Sequence, residues 1–217
     1  MRLLTGDTHG DIISRLKCLK KQKGYVIVLG DFGLLWNGGK DEKFTIDWLN
    51  KQTFITLFVD GNHENHDMID ALETVDMFDS SAGKVSDNIF HLKRGNVYNI
   101  DGKKFLSFGG AASIDYDMRT PGKSWWPQEV ATYRDFNNAI FNLEKVDYKI
   151  DYIVSHTCPE SITSVFGEKI IDDPTSLMLE ELDKLCSYKK LFFGHWHVDQ
   201  EIGDKYHALY KTIKELS

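Results

Sequence analysis

The chain has 217 residues, with 26 Lys and Arg against 33 Asp and Glu, and a formal net charge of −7. One core can bury roughly 70% of the unfolded surface at this length, so a single domain over residues 1–217 is expected. A hydrophobic content of 41% excludes a wholly disordered chain, and the acidic balance argues against a long nucleic acid or an anionic membrane surface as principal partner.

Residues 3–5 form a short apolar piece that meets Gly6-Asp7, and residues 11–22 carry Ile12, Ile13, Leu16 and Leu19 at helical spacing. Residues 25–29 run uninterrupted and apolar, as a strand covered on both faces does, and end in Gly30-Asp31. Residues 41–51 read as a second helix. A third strand over residues 54–59 runs into Asp60-Gly61-Asn62-His63-Glu64. This alternation implies parallel strands joined by right-handed crossovers, with three Gly/Asp-rich ends along one sheet edge.

The middle of the chain changes character. Residues 89–92, 97–100 and 103–108 are short strand candidates separated by Arg94-Gly95-Asn96 and Asp101-Gly102, which reads as an antiparallel meander. Residues 111–127 lack a period and collect Arg119, Lys123, Trp125 and Trp126, so they are expected to form a long loop over one rim. A helix over 128–143 follows, then a buried strand over 151–155 ending at His156. A helix over 176–186 and a strand over 190–193 lead to Gly194-His195-Trp196-His197, with further strands after it.

Cys18, Cys158 and Cys186 are odd in number and widely spaced, which fits neither a disulfide framework nor a metal clip. No apolar run approaches the about 20 residues of a membrane helix. The N-terminus reaches Asp7 too soon to hold the apolar core of a signal peptide. A soluble, cytoplasmic protein with no membrane partner is the expectation.

Five of the eight histidines fall at the C-terminal ends of predicted strands, beside two aspartates and one asparagine. In Asp7-Thr8-His9 and His195-Trp196-His197, residues i and i+2 of an extended segment share a side, so each pair can aim two donors at one place. Asp31 ends its strand alone, and a carboxylate with two oxygens can bridge two metal ions. Asn62 and His63 are adjacent and diverge, so one can face a metal while the other handles a proton. Singly, each is more often a turn, a helix cap or a surface group. Five strand ends on a common edge, all supplying oxygen or nitrogen donors, point to a metal site.

The order Gly6-Asp7-Thr8-His9-Gly10, Gly30-Asp31, Gly61-Asn62-His63-Glu64, Ser155-His156 and Gly194-His195-Trp196-His197 resembles the calcineurin-like metallophosphoesterases, in their bacterial or phage-type form. The resemblance implies an α/β fold, a four-layer α/β/β/α sandwich of two mixed sheets flanked by helices, with the metal site at the C-terminal strand ends. It implies that Asp7, His9, Asp31 and His197 hold one ion, that Asp31, Asn62, His156 and His195 hold the other, and that His63 is the proton donor. Hydrolysis of a phosphate ester, by a phosphatase or phosphodiesterase, would then use two ions about 3.5 to 4 Å apart to activate a hydroxide that attacks phosphorus. His63 would protonate the leaving group. With no cysteine among these ligands, manganese, iron or zinc suits the site.

One departure from the resemblance concerns substrate. Protein serine/threonine phosphatases continue the second motif to Asp-Arg-Gly, whereas Asp31 is followed here by Phe32-Gly33-Leu34. Arg94 or Arg119 would have to replace the missing arginine. Arg119 shares the rim loop with Trp125, and a cation beside aromatics suits a phosphate bearing an organic group. Glu64 is read either as an orienting group or as an exposed helix cap, His66 as a surface residue at a helix start, and His91 and His207 as structural. The competing readings are a metal-binding scaffold or protein-interaction module that has lost catalysis, and a nuclease, which would need a basic track to the site.

Overall fold

The computed structural model describes residues 1–167 and 172–216. In chain order the elements are β1 (Arg2–Thr5), α1 (Ile12–Leu16), β2 (Gly24–Leu29), α2 (Lys40–Asn50), β3 (Phe54–Val59), α3 (His66–Asp70), β4 (Glu73–Met77), β5 (Ser80–Ser86) and β6 (Ile89–Leu92). They continue with β7 (Val97–Ile100), β8 (Lys103–Phe108), α4 (Tyr133–Glu144), β9 (Tyr152–Ser155), α5 (Glu160–Thr163) and α6 (Pro174–Leu185). Four strands close the chain: β10 (Lys190–Phe193), β11 (Gln200–Ile202), β12 (Tyr206–Ala208) and β13 (Lys214–Glu215).

Two mixed sheets result. One has seven strands in the order β13-β1-β2-β3-β6-β5-β4, the other six in the order β11-β12-β10-β9-β8-β7. The alternation along the strands explains how they stack. Ile27 and Leu29 of β2 and Leu57 and Val59 of β3 meet Phe105, Val154 and Phe192 of the other sheet in a core between the sheets. Val26 and Val28, on the opposite side of β2, pack instead with Ile12, Leu16, Leu49 and Ile69 from α1, α2 and α3. Outside the second sheet, Leu106, Ile153 and Leu191 pack with Ala139, Leu143, Leu179 and Leu182 of α4 and α6. The architecture is therefore α/β/β/α, as expected from the resemblance.

Two local expectations are corrected and one element is added. The meander does not form: β6 pairs parallel with β3 in the first sheet, whereas β7 pairs antiparallel with β8 in the second. Arg94-Gly95-Asn96 is thus the passage between sheets, and a turn-rich tripeptide alone does not distinguish a hairpin from such a crossing. The β4–β5 hairpin, which the polar stretch 73–86 concealed, turns on Phe78 and Asp79 with φ of 55° and 62°, the type I′ geometry that matches strand twist. The helix expected from 128 starts at Tyr133, because residues 127–129 form a 3₁₀ turn and Thr132 and Asp135 make a reciprocal capping box.

Candidate metal centre

The C-terminal ends of β1, β2 and β3 in one sheet and of β9 and β10 in the other converge on one edge of the molecule. Asp7, Asp31, Asn62, His63, His156, His195 and His197 all follow these ends. Extended geometry is not what brings the paired residues together. His9, Asp31, His195 and His197 have φ of 44°, 44°, 65° and 52°, the left-handed region that side chains avoid at a cost of about 1–3 kcal/mol each. Surrounding hydrogen bonds hold the bends: the Thr8 and His9 N–H groups donate to the Asp31 carbonyl at 3.1 and 2.8 Å, and the His195 N–H donates to Asp7 Oδ1 at 2.8 Å. Gly61 and Gly194 allow the close approach, since a side chain at either position would overlap the Asp31 or the Asp7 carboxylate.

Acceptor atoms crowd this edge. Asp7, His9 and His197 form one group whose ligand atoms lie within 4.8 Å of one another, and Asp7, Asp31 and His156 form another. Asp7 Oδ2 lies 3.1 Å from His197 Nε2, and the Nε2 atoms of His9 and His197 are 2.9 Å apart. Asp31 turns Oδ2 towards His9 Nε2 at 3.8 Å and Oδ1 towards His156 Nε2 at 3.4 Å.

The polarity of the bonds tests whether this donor set suits a cation. His156 Nδ1 sits 2.8 Å from the Leu29 carbonyl, which only accepts, so Nδ1 carries the hydrogen and Nε2 of the neutral ring offers a lone pair. That lone pair faces the Asn62 Oδ1 atom at 3.0 Å, a second acceptor. Burial works against a charge on His156, yet Asp31 and Asp7 outweigh it and raise its pKa, so the position calls for positive charge. His195 is pushed down to about 3 by burial and by His156, which leaves it a neutral donor of electrons. Carboxylate, amide and imidazole ligand atoms gathered at one place, where the field favours positive charge, are the environment of a hard or borderline cation.

The family model for calcineurin-like phosphoesterases matches residues 2–199. The chain belongs to that family. Metal-dependent hydrolysis of phosphate esters is the family's general chemistry, and this chain has candidate metal-binding groups. A lariat debranching enzyme from Schizosaccharomyces pombe is 28% identical over 137 residues, covering 62% of this chain and 26% of its own. The chain thus spans about a quarter of that relative. A Staphylococcus aureus protein described as a candidate 5′-nucleotidase, solved with α-ketoglutarate, superposes with a TM-score of 0.47 at 12% identity. That superposition covers 96% of this chain and 48% of the other.

A cavity of about 630 Å³ opens over this centre, lined by Asp31, Asn62, His63, His195 and His197 on its floor. Arg119 reaches into it from the rim loop, with Nη1 2.9 Å from His63 Nδ1 and Nη2 3.3 Å from His63 Nε2. At these distances the guanidinium packs directly against the His63 ring. Asp115 holds it there, Oδ1 accepting from Arg119 Nε at 2.9 Å. Burial, and then Arg119 against the opposing pull of Asp31, lower the pKa of His63.

Arg94 and Trp125 are placed elsewhere. Arg94 is buried against Asp60, with Nε 2.8 Å from Asp60 Oδ2, and its other N–H groups donate to the carbonyls of Gln128 and Val130 at 2.9 Å. Every arm of its fork is committed to the fold, and it lines a different cavity. Trp125 is half-buried beside Tyr116, ring centroids 5.8 Å apart, and does not line the cavity over the centre. Trp126 is the anchor of the loop, its Nε1 donating to Asp67 Oδ2 at 2.8 Å.

Two acidic or basic groups differ from expectation. His66 is buried rather than on the surface, its Nε2 3.1 Å from the Gly61 carbonyl. Glu64 is fully buried, neither a cap nor a partner of His63: Oε1 accepts from the Phe32 N–H at 2.7 Å and so ties the third motif to the second. Burial and the nearby Asp31 raise its pKa well above the usual carboxylate value. Missed altogether in the sequence were Ser113 and Glu129, both buried, whose bonds lead to Asn62.

Proposed function

We propose that this phosphoesterase hydrolyses phosphate monoesters or diesters with two divalent cations, manganese, iron or zinc. Asp7, His9, Asp31 and His197 hold one, Asp31, Asn62, His156 and His195 hold the other, and Asp31 bridges. The observation that carries this reading is the Asp31 carboxylate, which offers one oxygen to the His9 side and the other to the His156 side. Bound cations supply Lewis-acid polarisation of the phosphoryl oxygens and a lowered pKa for the attacking water.

The chain's own residues account for the remainder. His63 stands at the cavity floor, where it gives its proton to the leaving oxygen. An anionic phosphoryl group beside it works against the effect of burial and favours the charged ring. Arg119 takes the place of the arginine absent from the second motif: its guanidinium is already held beside His63 in the same cavity, where it can bind a phosphate oxygen. Ile114, Val165, Phe166, Trp196 and Val198 line the rest of the cavity, which suits an ester with an apolar organic group. Arg119 is the one Lys or Arg among the lining residues described, so the basic track of a nuclease is not supported.

Metal analysis of the purified protein is expected to find two transition ions per chain. An aryl phosphate panel with Mn²⁺ is expected to be hydrolysed, with kcat falling about 10²- to 10⁴-fold in His63→Ala, the range of general acid catalysis. One ion per chain, or equal rates in the variant, would overturn the corresponding part.

A further inference from the structure

The geometry points to Glu129 and Ser113 as positioning residues that fix which atom of the Asn62 amide faces the metal centre. The inference rests on the two-cation reading and concerns one of its ligands.

Three bonds form the chain. The Ser113 N–H donates to Glu129 Oε1 at 2.7 Å, the Ser113 hydroxyl donates to Glu129 Oε2 at 2.8 Å, and Asn62 Nδ2 donates to Ser113 Oγ at 3.0 Å. Their directions follow from chemistry. Burial raises the Glu129 pKa, and the Ser113 N–H on Oε1 works against it; the ionised carboxylate that this donor favours only accepts, so the Ser113 hydroxyl hydrogen is committed to Oε2 and its oxygen is left as an acceptor. An acceptor there demands a donor from Asn62, which can only be the NH₂ end. The amide oxygen is therefore turned the other way, to within 3.0 Å of His156 Nε2, the other ligand atom proposed for the same ion. Both ends of the amide are thus determined, and the end directed into the centre is the one able to bind a cation. Glu129, Ser113 and Asn62 are each at most 5% exposed, with Glu129 at 2%, so water does not offer an easy substitute for any link.

Glu129 also closes the rim loop. Its carbonyl accepts from the Ala111 N–H at 3.0 Å and its carboxylate binds Ser113, so residues 113–129 are clasped at their neck while Arg119 projects from between. One buried carboxylate thereby sets both the amide on the floor and the base of the loop that delivers the guanidinium.

The test is Mn²⁺ titration by calorimetry, with thermal melting of the metal-free proteins alongside. Wild type is expected to bind two ions per chain. Ser113→Ala removes the acceptor for Asn62, and Glu129→Gln puts a donor where the carboxylate accepts, which permits the reversed amide. Each is expected to weaken one of the two ions about 10- to 100-fold, the usual effect of losing a partner behind a ligand, and to leave the other ion unchanged. Ser113→Thr, which keeps the hydroxyl, is expected to restore the weakened ion. Unchanged binding of both ions overturns the inference, as does equal weakening of both in step with a lowered melting temperature. Wild type that takes up no Mn²⁺ would remove the two-cation reading itself, and the role of the relay with it, an outcome distinguished by the wild-type result alone.

Discussion

Asp60→Asn should unfold this protein far more readily than any change on its surface. Asp60 lies at the end of β3, 2% exposed, and accepts from Arg94 through Nε at 2.8 Å and through Nη2, with His91 Nε2 2.9 Å from its other oxygen. The amide keeps the shape and removes the charge, which leaves the Arg94 guanidinium buried against groups that no longer neutralise it. Removing one member of a buried pair costs about 3–5 kcal/mol, because the partner's desolvation is then uncompensated. Urea unfolding of wild type and variant reads that difference directly. Asp60→Leu combined with Arg94→Met removes both charges and should recover part of the loss, since a buried pair is often replaceable by packed apolar groups. The acid limb has a definite sign. Burial works to raise the Asp60 pKa, but Arg94 and then His91 hold it far below the usual carboxylate range. Its contribution is therefore complete above the unfolded value of about 3.9 and is lost as pH falls below it. Asp60→Asn within about 0.5 kcal/mol of wild type, or an Arg94→Met variant with intact stability and a raised KM, would refute the structural assignment of Arg94.

Two other predictions concern the cavity and its floor. Arg119→Ala should raise KM for aryl phosphates about 10-fold or more while unfolding stability changes by less than about 1 kcal/mol, the loss of a charge-assisted contact to substrate alone; steady-state kinetics and urea titration separate these. Glu64→Gln should be tolerated within about 1 kcal/mol, because burial already disfavours the charged carboxyl and the amide oxygen can still accept the Phe32 N–H. Glu64→Ala leaves that N–H unsatisfied and should cost about 1–3 kcal/mol plus a cavity, so an alanine milder than the glutamine would contradict the arrangement.

The strand ends were legible because the chemistry they carry is concentrated: Gly6-Asp7, Gly30-Asp31, Gly61-Asn62, His156 and His195 each follow an apolar run that one-dimensional pattern detects. The burial of Glu64 and His66 was not legible, since a charged residue next to a turn motif is exposed far more often than it is enclosed. Asp60 shares this fate: it reads as part of a turn, and only the packing of β6 beside β3 brings His91 opposite it. Ser113 and Glu129 sit 16 residues apart, one in a stretch without period and the other where a helix was expected to start, so no local signal joins them. The β4–β5 hairpin was hidden by composition, as β4 is the partly exposed edge strand, β5 lies beside it, and the two carry Asp, Glu, Ser and Lys where a central strand carries Val and Ile.

The left-handed backbone at His9, Asp31, His195 and His197 has a consequence for how such a chain can be changed. Glycine at any of these four positions would relax the backbone and delete a proposed ligand in the same step. Selection for thermal resistance alone would therefore draw the sequence towards variants that keep the sandwich and lose the edge chemistry. A library screened for survival on heating needs a parallel metal-uptake screen, or its most robust members will be the inert ones.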